Sequence, residues 1–582
     1  MGGLAALGPR GGGALSALSR ASSTTAPLLV ATWCVATCNA PVWRELAHVR
    51  GGLTAANLGF LAACFVVATL YVNLQLSLLV FRGIGRPLLA LVLVAASIAA
   101  YASTTFGVRL DKPMMRNVFE TDVRESTELL NGRLVAYVVL LGLLPALLLL
   151  RRRIEYGPIG VEIGRKLRVA LLSSVCALPI AALYYPDFAS LMRNHRELRH
   201  GFAPTNFLNA TLAYVKEQGA TPREVRPIGL DARQVAGSTS PDRPRLLVLV
   251  VGETARAANF SLGGYPRPTN PELAQEDVLY FSDVRSSGTS TAISLPCMFS
   301  DLGRAGFSPA RAKGQEGLLD VLAHAGFDVV WRDNDSGCKG TCDRVVYENV
   351  AKSTNPALCA SGECFDEILL DGLQDRLDRT SRDLVVVLHM HGSHGPGYHL
   401  RYPPEFEEFQ PACRTLALED CGREGLVNAY DNTIRYTDHV LARTIDLLEL
   451  NADRFDAAML YVSDHGESLG EKGLYLHGMP YWMAPDEQTR VPLIVWVAEG
   501  FRARRGLDWG ALSARRAEPC SHDNLFHSVL GLLDVETSAY RPELDLFRSS
   551  TGRREAVAEV KEPRRAPSER SPRASTHAGL PE

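Results

Sequence analysis

The chain has no excess of charge of either sign. Over 582 residues, 61 lysines and arginines meet 64 aspartates and glutamates, giving a net charge of −3 and a pI of about 6.6. A protein that tracks a phosphate backbone carries a basic excess, so nucleic acid is excluded as a partner. There is no internal repeat, which excludes a solenoid. After residue 185 no apolar run is long enough to cross a bilayer, and after residue 547 large apolar residues nearly vanish. The tail 548–582 cannot bury enough surface to fold and is expected to lack structure. The Gly-, Ala- and Ser-rich start, 1–25, is expected to be disordered on the cytoplasmic side.

What is present divides near residue 185. A chain of this length exceeds one core, so at least two domains are expected. Residues 26–185 hold five apolar segments, 26–43, 53–81, 87–106, 134–150 and 169–185. Four of them reach the roughly 17 apolar residues that a bilayer crossing needs. The first is weaker and has a second reading as a cleaved signal peptide, with Arg10 and Arg20 as its basic flank. Arg82 and Arg86 lie between segments two and three. Arg151, Arg152, Arg153, Arg165, Lys166 and Arg168 lie between four and five. The positive-inside rule makes those loops cytoplasmic and everything after Tyr185 external. Arg109, Lys112, Arg116 and Arg124 run against that bias on the outer side.

The cysteines test this topology. Cys338/Cys342, Cys359/Cys364 and Cys413/Cys421 are three close pairs, all after residue 185. An oxidising compartment makes them disulfides, and the competing reading is a structural zinc site. Cys297 and Cys520 stand apart from these pairs.

Residues 186–244 read as a bridging helix, with an amphipathic stretch at 206–217, and a linker. From 245 to 547, strand patterns alternate with helical ones, which predicts an α/β domain around a mainly parallel sheet. Its central strand is Leu246-Leu-Val-Leu-Val-Val251, apolar without alternation and so buried on both faces. It runs into Gly252-Glu253. Three further apolar runs, at 327–331, 384–388 and 457–463, end in Arg332-Asp-Asn-Asp335, in His389, His391 and His394, and in Asp464-His465-Gly466. Ligands of parallel sheets bind past the carboxyl ends of the strands, so four such endings imply one functional rim.

Glu253, Asp464 and His465 form a hard N/O ligand set suited to zinc, with a threonine oxygen as fourth donor. Between the first two runs lies Gly288-Thr-Ser-Thr291, with three hydroxyls at a predicted helix start. They cap the helix, or one becomes a nucleophile if a metal lowers its pKa. His394 and His477 sit in Gly-flanked loops and can hold a second metal or a substrate phosphate.

These stretches resemble the lipid A phosphoethanolamine transferases, the family that includes polymyxin-resistance enzymes of Gram-negative inner membranes. The likeness rests on Val250-Val-Gly-Glu-Thr-Ala-Arg256, Gly288-Thr-Ser-Thr-Ala-Ile-Ser-Leu-Pro-Cys-Met-Phe299, Trp331-Arg-Asp-Asn-Asp335 with Lys339-Gly340, His394-Gly-Pro396, and Ser463-Asp-His-Gly-Glu467 with Tyr475-Leu-His-Gly478. The resemblance implies five transmembrane helices carrying a periplasmic α/β domain of the alkaline-phosphatase and sulfatase type. It implies transfer of phosphoethanolamine from phosphatidylethanolamine to a lipid A phosphate through a phosphothreonine. Thr291 looks like the nucleophile, and Glu253, Thr291, Asp464 and His465 like the ligands of one main Zn2+. His394 and His477 look like the pair holding phosphate or a further zinc, while Thr289, Lys339 and Glu467 resemble positions lining the phosphoethanolamine pocket. Two departures stand out. Ser287 occupies the place of a cysteine that in the family brackets the nucleophile loop with the equivalent of Cys297, and Asp335 stands where some members have Asn.

Other readings are a transferase of phosphoethanolamine or phosphoglycerol to another envelope lipid or glycan, a phosphodiesterase or sulfatase-like hydrolase, and a non-catalytic binding protein. No Cys-x-Pro-x-Arg sequence surrounds Cys297, which argues against a sulfatase, and the complete ligand set argues against a binding protein. The outer loop 107–133 is the expected element that docks the catalytic domain to the membrane.

Overall fold

The computed structural model describes residues 20–121, 123–194, 198, 201–219, 224–235, 243–360 and 363–548. Nearly all of the start and tail for which the sequence predicts no structure lies outside that set. The end of the start does not: Arg20–Ser22 pairs in parallel with Arg153–Glu155, beside the basic loop.

Among the described residues, four helices are long and apolar enough to cross a membrane. They are α3 (Ala55–Leu79), α4 (Gly85–Thr105), α7 (Gly132–Arg151) and α8 (Ile159–Leu183). Apolar side chains such as Leu171 and Leu178 point outward, as a bilayer requires. The first apolar segment is not one straight helix. It forms α1 (Thr25–Thr37) and α2 (Ala40–Val49), bent by 60°. Pro41 cannot continue the hydrogen-bond ladder backwards into α1. Asn39 turns its amide away to pair with both backbone groups of Ala203, at 2.7 and 3.0 Å. Five spans result only if this bent pair counts as one.

The loop after α4 holds α5 (Lys112–Glu120) and α6 (Val123–Glu128) and packs against the carboxy-terminal domain. Phe106 accepts the Tyr475 amide at 3.2 Å, Arg401 binds Glu128 at 2.6 Å, and Arg133 meets Asp420 at 2.8 Å. Two further helices, α9 (Tyr185–Asn194) and α10 (Thr205–Gly219), lead toward the second domain.

That domain is built on an eight-stranded sheet. The strands are β1 (Arg245–Gly252), β2 (Leu279–Arg285), β3 (Asp328–Asp333), β4 (Val346–Asn349), β5 (Leu384–His389), β6 (Asp456–Ser463), β7 (Arg490–Val497) and β8 (Cys520–Ser521). Their order is β8-β2-β7-β6-β1-β5-β3-β4, and only β7 runs antiparallel to its neighbours. Every residue of β1, β5 and β6 is buried, which is why those runs do not alternate. The register levels the strand ends: Gly252 lies opposite Ser463, and His389 opposite both Val251 and Asp333. The residues that follow must therefore share one rim. A 28-residue helix, α12 (Arg423–Leu450), packs near it, and the Tyr430 hydroxyl donates to the Thr254 carbonyl at 2.7 Å. The three expected disulfides, Cys338–Cys342, Cys359–Cys364 and Cys413–Cys421, are all formed.

Candidate active site

Helix α11 (Thr291–Met298) begins at the rim, so Thr291 occupies its first position. Its hydroxyl lies 3.0 and 3.2 Å from the two carboxylate oxygens of Glu253 and 3.4 Å from His465 Nε2. His465 Nδ1 lies 3.0 Å from the Gly466 carbonyl. A carbonyl only accepts, so Nδ1 carries the proton and Nε2 presents a lone pair. That lone pair faces Glu253 Oε1 and Asp464 Oδ2, each at 3.3 Å. Asp464 Oδ2 finds no hydrogen-bond partner among the described residues. All three side chains are fully buried. Burial, then the charges of Asp464 and Asp335, pushes the Glu253 carboxyl well above the usual carboxylate range. Two carboxylates and an imidazole lone pair thus converge beside the Thr291 hydroxyl, an arrangement that a bound cation would satisfy.

Backbone constraints hold this arrangement. A side chain at Gly466 would strike the Glu487 carbonyl oxygen, so the chain turns there only with glycine. Thr254 adopts φ of 52°, a conformation that non-glycine residues hold only under surrounding constraint.

A second group lies alongside. Glu253, Asp335 and His389 also converge closely enough to hold a metal. His389 Nδ1 is 2.5 Å from Asp333, and His391 Nδ1 is 2.8 Å from Asp335. Burial opposes a charge on His389, but the Asp333, Asp335 and Glu253 carboxylates outweigh it and push the imidazole up to about 9. Burial also acts on Asp335, yet His391 and His389 hold it well below its ordinary value. A third group, Glu128, Glu363 and His391, is closed by Arg401, which pairs with both carboxylates.

The His394 and His477 rings are 5.5 Å apart, and His477 stands 4.5 Å from His465. Glu467 takes the Nδ1 side of His477 at 2.9 Å and accepts the Tyr398 hydroxyl at 2.6 Å, leaving His477 Nε2 for the site. Burial and the neighbouring His477 and His391 keep His394 neutral, well below the ordinary histidine value. Lys339 donates to the Ser336 hydroxyl, which donates in turn to Asp335, both at 2.9 Å. Lys339 and Ser336 line a cavity of about 600 Å3 together with Glu120 and Tyr214. Thr289 lies beside the loop that carries His477. Its hydroxyl is committed to the Met479 carbonyl at 2.6 Å, while its own carbonyl accepts the Gly478 amide.

Sequence reasoning did not assign site roles to Asp335, His389 and His391, although all three end apolar runs, which was the available signal. It gave no sign of His522. That buried imidazole accepts the Ser287 amide at 3.1 Å and donates to the Ser463 carbonyl at 2.9 Å. It ties the nucleophile loop to the end of β6. Cys297 is unpaired and buried, and burial pushes its thiol up to about 12.

Fold and rim together define an enzyme of the sulfatase and alkaline-phosphatase class, with side-chain groups at the rim that could hold a metal ion. The sulfatase family profile matches residues 245–535, and the profile of phosphoethanolamine transferases EptA/EptB matches 68–219. Phosphoethanolamine transferase EptA of Salmonella typhimurium is 41% identical over 83% of this chain and 89% of its own. Phosphatidylethanolamine transferase Mcr-1 of Escherichia coli is 36% identical over 89% and 96%. The structure of the integral membrane lipooligosaccharide phosphoethanolamine transferase A (EptA) from Neisseria meningitidis superposes with a TM-score of 0.87 at 36% identity, covering 91% of this chain and 99% of that one. The chain belongs to the phosphoethanolamine transferase family.

Proposed function

We propose that the chain moves phosphoethanolamine from phosphatidylethanolamine to a phosphate of lipid A, through a phosphothreonine at Thr291, on the periplasmic face of the bacterial inner membrane. The observation that carries this is the Thr291 hydroxyl lying within 3.4 Å of both Glu253 and His465. The mixed carboxylate and imidazole donors of Glu253, Asp464 and His465, with the threonine oxygen, fit one Zn2+. The unpartnered Asp464 oxygen and the imidazole lone pair are what such an ion would satisfy. When bound, zinc supplies Lewis acidity that lowers the hydroxyl pKa and offsets charge on the phosphoryl oxygens.

The chain's own groups do the rest. Thr291 Oγ1 forms a bond to phosphorus as the phosphorus–oxygen bond to diacylglycerol breaks. The start of α11 turns unpaired backbone N–H groups toward the anionic phosphoryl oxygens. His477, its Nδ1 held by Glu467, takes the Thr291 hydroxyl proton at Nε2 and passes it on to the leaving glycerol oxygen. In the second half-reaction a lipid A phosphate oxygen attacks the same phosphorus, and Thr291 Oγ1 leaves. His394, neutral at ordinary pH, offers a hydrogen bond to a phosphoryl oxygen in both halves. Lys339 and the 600 Å3 cavity are suited to the donor headgroup.

The topology reading rests on three supports. The basic loops gather at the end of the spans where Lys166 binds the Val80 carbonyl at 2.7 Å. The other end touches the catalytic domain through Phe106 and Tyr475. Three disulfides suit an oxidising compartment. The test is mass spectrometry of lipid A from cells expressing either the parent chain or Thr291→Ala. Phosphoethanolamine on lipid A with the parent alone is expected. Equal modification by the variant refutes the nucleophile, and an unmodified lipid A with phosphoethanolamine on another envelope component refutes the acceptor.

A further inference from the structure

Two cavities that the reaction does not use meet at one residue. The first, about 390 Å3, is polar. Arg109, Lys112, Asn206 and Asn209 line it, with Thr205 and Trp482. The second, about 300 Å3, is almost wholly apolar, lined by Val42, Leu46, Cys64, Ala68, Phe202 and again Thr205. Thr205 is nine-tenths buried, and its hydroxyl has no hydrogen-bond partner among the described residues.

Their depth follows from the chain. Residues 107–113 leave the outer end of α4, so the polar cavity lies at the level of the bilayer surface. Trp482, 63% exposed, stands at its rim, as tryptophans do at a membrane interface. The apolar cavity follows α3 inward from Cys64 to Val72, a descent of roughly 12 Å at 1.5 Å per residue. A polar chamber at the surface above an apolar slot in the outer leaflet has the shape of one amphipathic molecule.

The donors specify the head. Arg109 donates from Nη2 to Glu45 at 2.6 Å, and Lys112 lies 3.2 Å from Glu217. A guanidinium has five N–H donors and an ammonium three, so both keep donors for a phosphate oxygen. Asp111 also lines this chamber, with one carboxylate oxygen capping the Met114 amide at 3.0 Å.

We propose that this pair of cavities is a second lipid site, which takes a phosphate-bearing lipid of the outer leaflet with its head against Arg109 and Lys112 and an acyl chain in the slot beneath Thr205. The site adjoins the catalytic rim without being part of it. Pro480 follows Met479, whose carbonyl holds Thr289, and it comes three residues after His477. Helix α5 separates it from the Lys339 cavity at Glu120. In the two-lipid reaction proposed above, which explains why two chambers flank α5, one lipid waits here while the other reacts. The binding claim itself does not need that reading.

The test uses full-length Thr291→Ala protein in detergent, which cannot turn over, so binding is read apart from transfer. Native mass spectrometry would measure retention of added phosphatidylethanolamine, lipid A, and diacylglycerol as a phosphate-free control. Retention of a phosphorylated lipid but not of diacylglycerol is expected. Lys112→Ala should weaken it at least tenfold, as should Ala68→Phe, which fills the slot. Lys112 is half-exposed, so its loss tests the head site even if Ala68→Phe misfolds. Retention of phosphatidylethanolamine or of lipid A tells which lipid the site takes. Failure to retain either, equal retention of diacylglycerol, or retention unchanged by Lys112→Ala would overturn the proposal.

Discussion

The contact between Arg401 and Glu128 joins the membrane-side loop to the catalytic rim, and its loss can be worked out in advance. Arg401 is fully buried. It binds Glu128 at 2.6 Å, Glu363 at 2.7 Å and, through Nε, the His394 carbonyl at 2.9 Å. Two charges about 4 Å apart attract by roughly 4 kcal/mol at an effective dielectric of 20, before desolvation is subtracted. Glu128→Gln keeps the shape and one acceptor but removes a charge. Glu363 still serves the guanidinium, so a loss of about 2 kcal/mol is expected, within the range of a charged hydrogen bond. Arg401→Met is worse, because it leaves two carboxylates facing each other in a buried place, at about 3–5 kcal/mol. The double variant removes one of those stranded charges and should fall short of the sum by roughly 1–2 kcal/mol. Thermal unfolding in detergent micelles measures this, with Glu128→Gln lowering the midpoint by roughly 2–3 °C. The transfer rate should fall with it, since the His394 carbonyl loses its anchor in Arg401→Met. Strict additivity of the two substitutions, within about 0.5 kcal/mol, would show that the pair is not coupled and would refute the reasoning.

Two more outcomes follow from buried titratable groups. His527 accepts the Arg541 amide through Nδ1, and burial, with Arg541 nearby, pushes its imidazole down to about 3. It is neutral when folded but protonates near 6.5 when unfolded, so stability is full above about pH 6.5 and drains as pH falls toward 3. The loss is about 2 kcal/mol at pH 5, and His527→Gln should flatten that slope in melts at pH 7.5 and 5; an unchanged slope would remove His527 as its source. Chelator should lower the melting midpoint of the parent, with Zn2+ restoring it. Glu253→Gln, which relieves the repulsion from Asp464 and Asp335, should melt no lower than the chelated parent and gain nothing from Zn2+; a full zinc response in that variant would exclude Glu253 as a ligand.

How much of this was legible in the sequence depends on how far apart the cooperating residues lie and whether a period marks them. The rim was legible because parallel strands buried on both faces write themselves as unbroken apolar runs, and a level register brings whatever follows them together. Glu253, Asp464, His389 and Asp335 all announce themselves in this way. The bend between α1 and α2 was not, because Pro41 alone permits a kink, and what fixes it is an asparagine reaching across to Ala203. His522 and Arg401 lie further out of reach. Each is a single polar residue in a loop with no apolar run before it, and their partners are 235 and 273 residues away in sequence. No local pattern distinguishes such a residue from a solvated one. Yet these two hold the loops that carry Thr291 and His394, so the positioning of the site is encoded where periodicity is silent. This has a consequence for substitutions: changes that preserve every metal-type residue can still disable the enzyme through His522 or Arg401. A change at His522 should do so without altering how many metal ions the protein holds, because none of its three contacts, to the Ser287 amide, the Ser463 carbonyl and the Ser294 hydroxyl, is to a side chain of Glu253, Asp464 or His465.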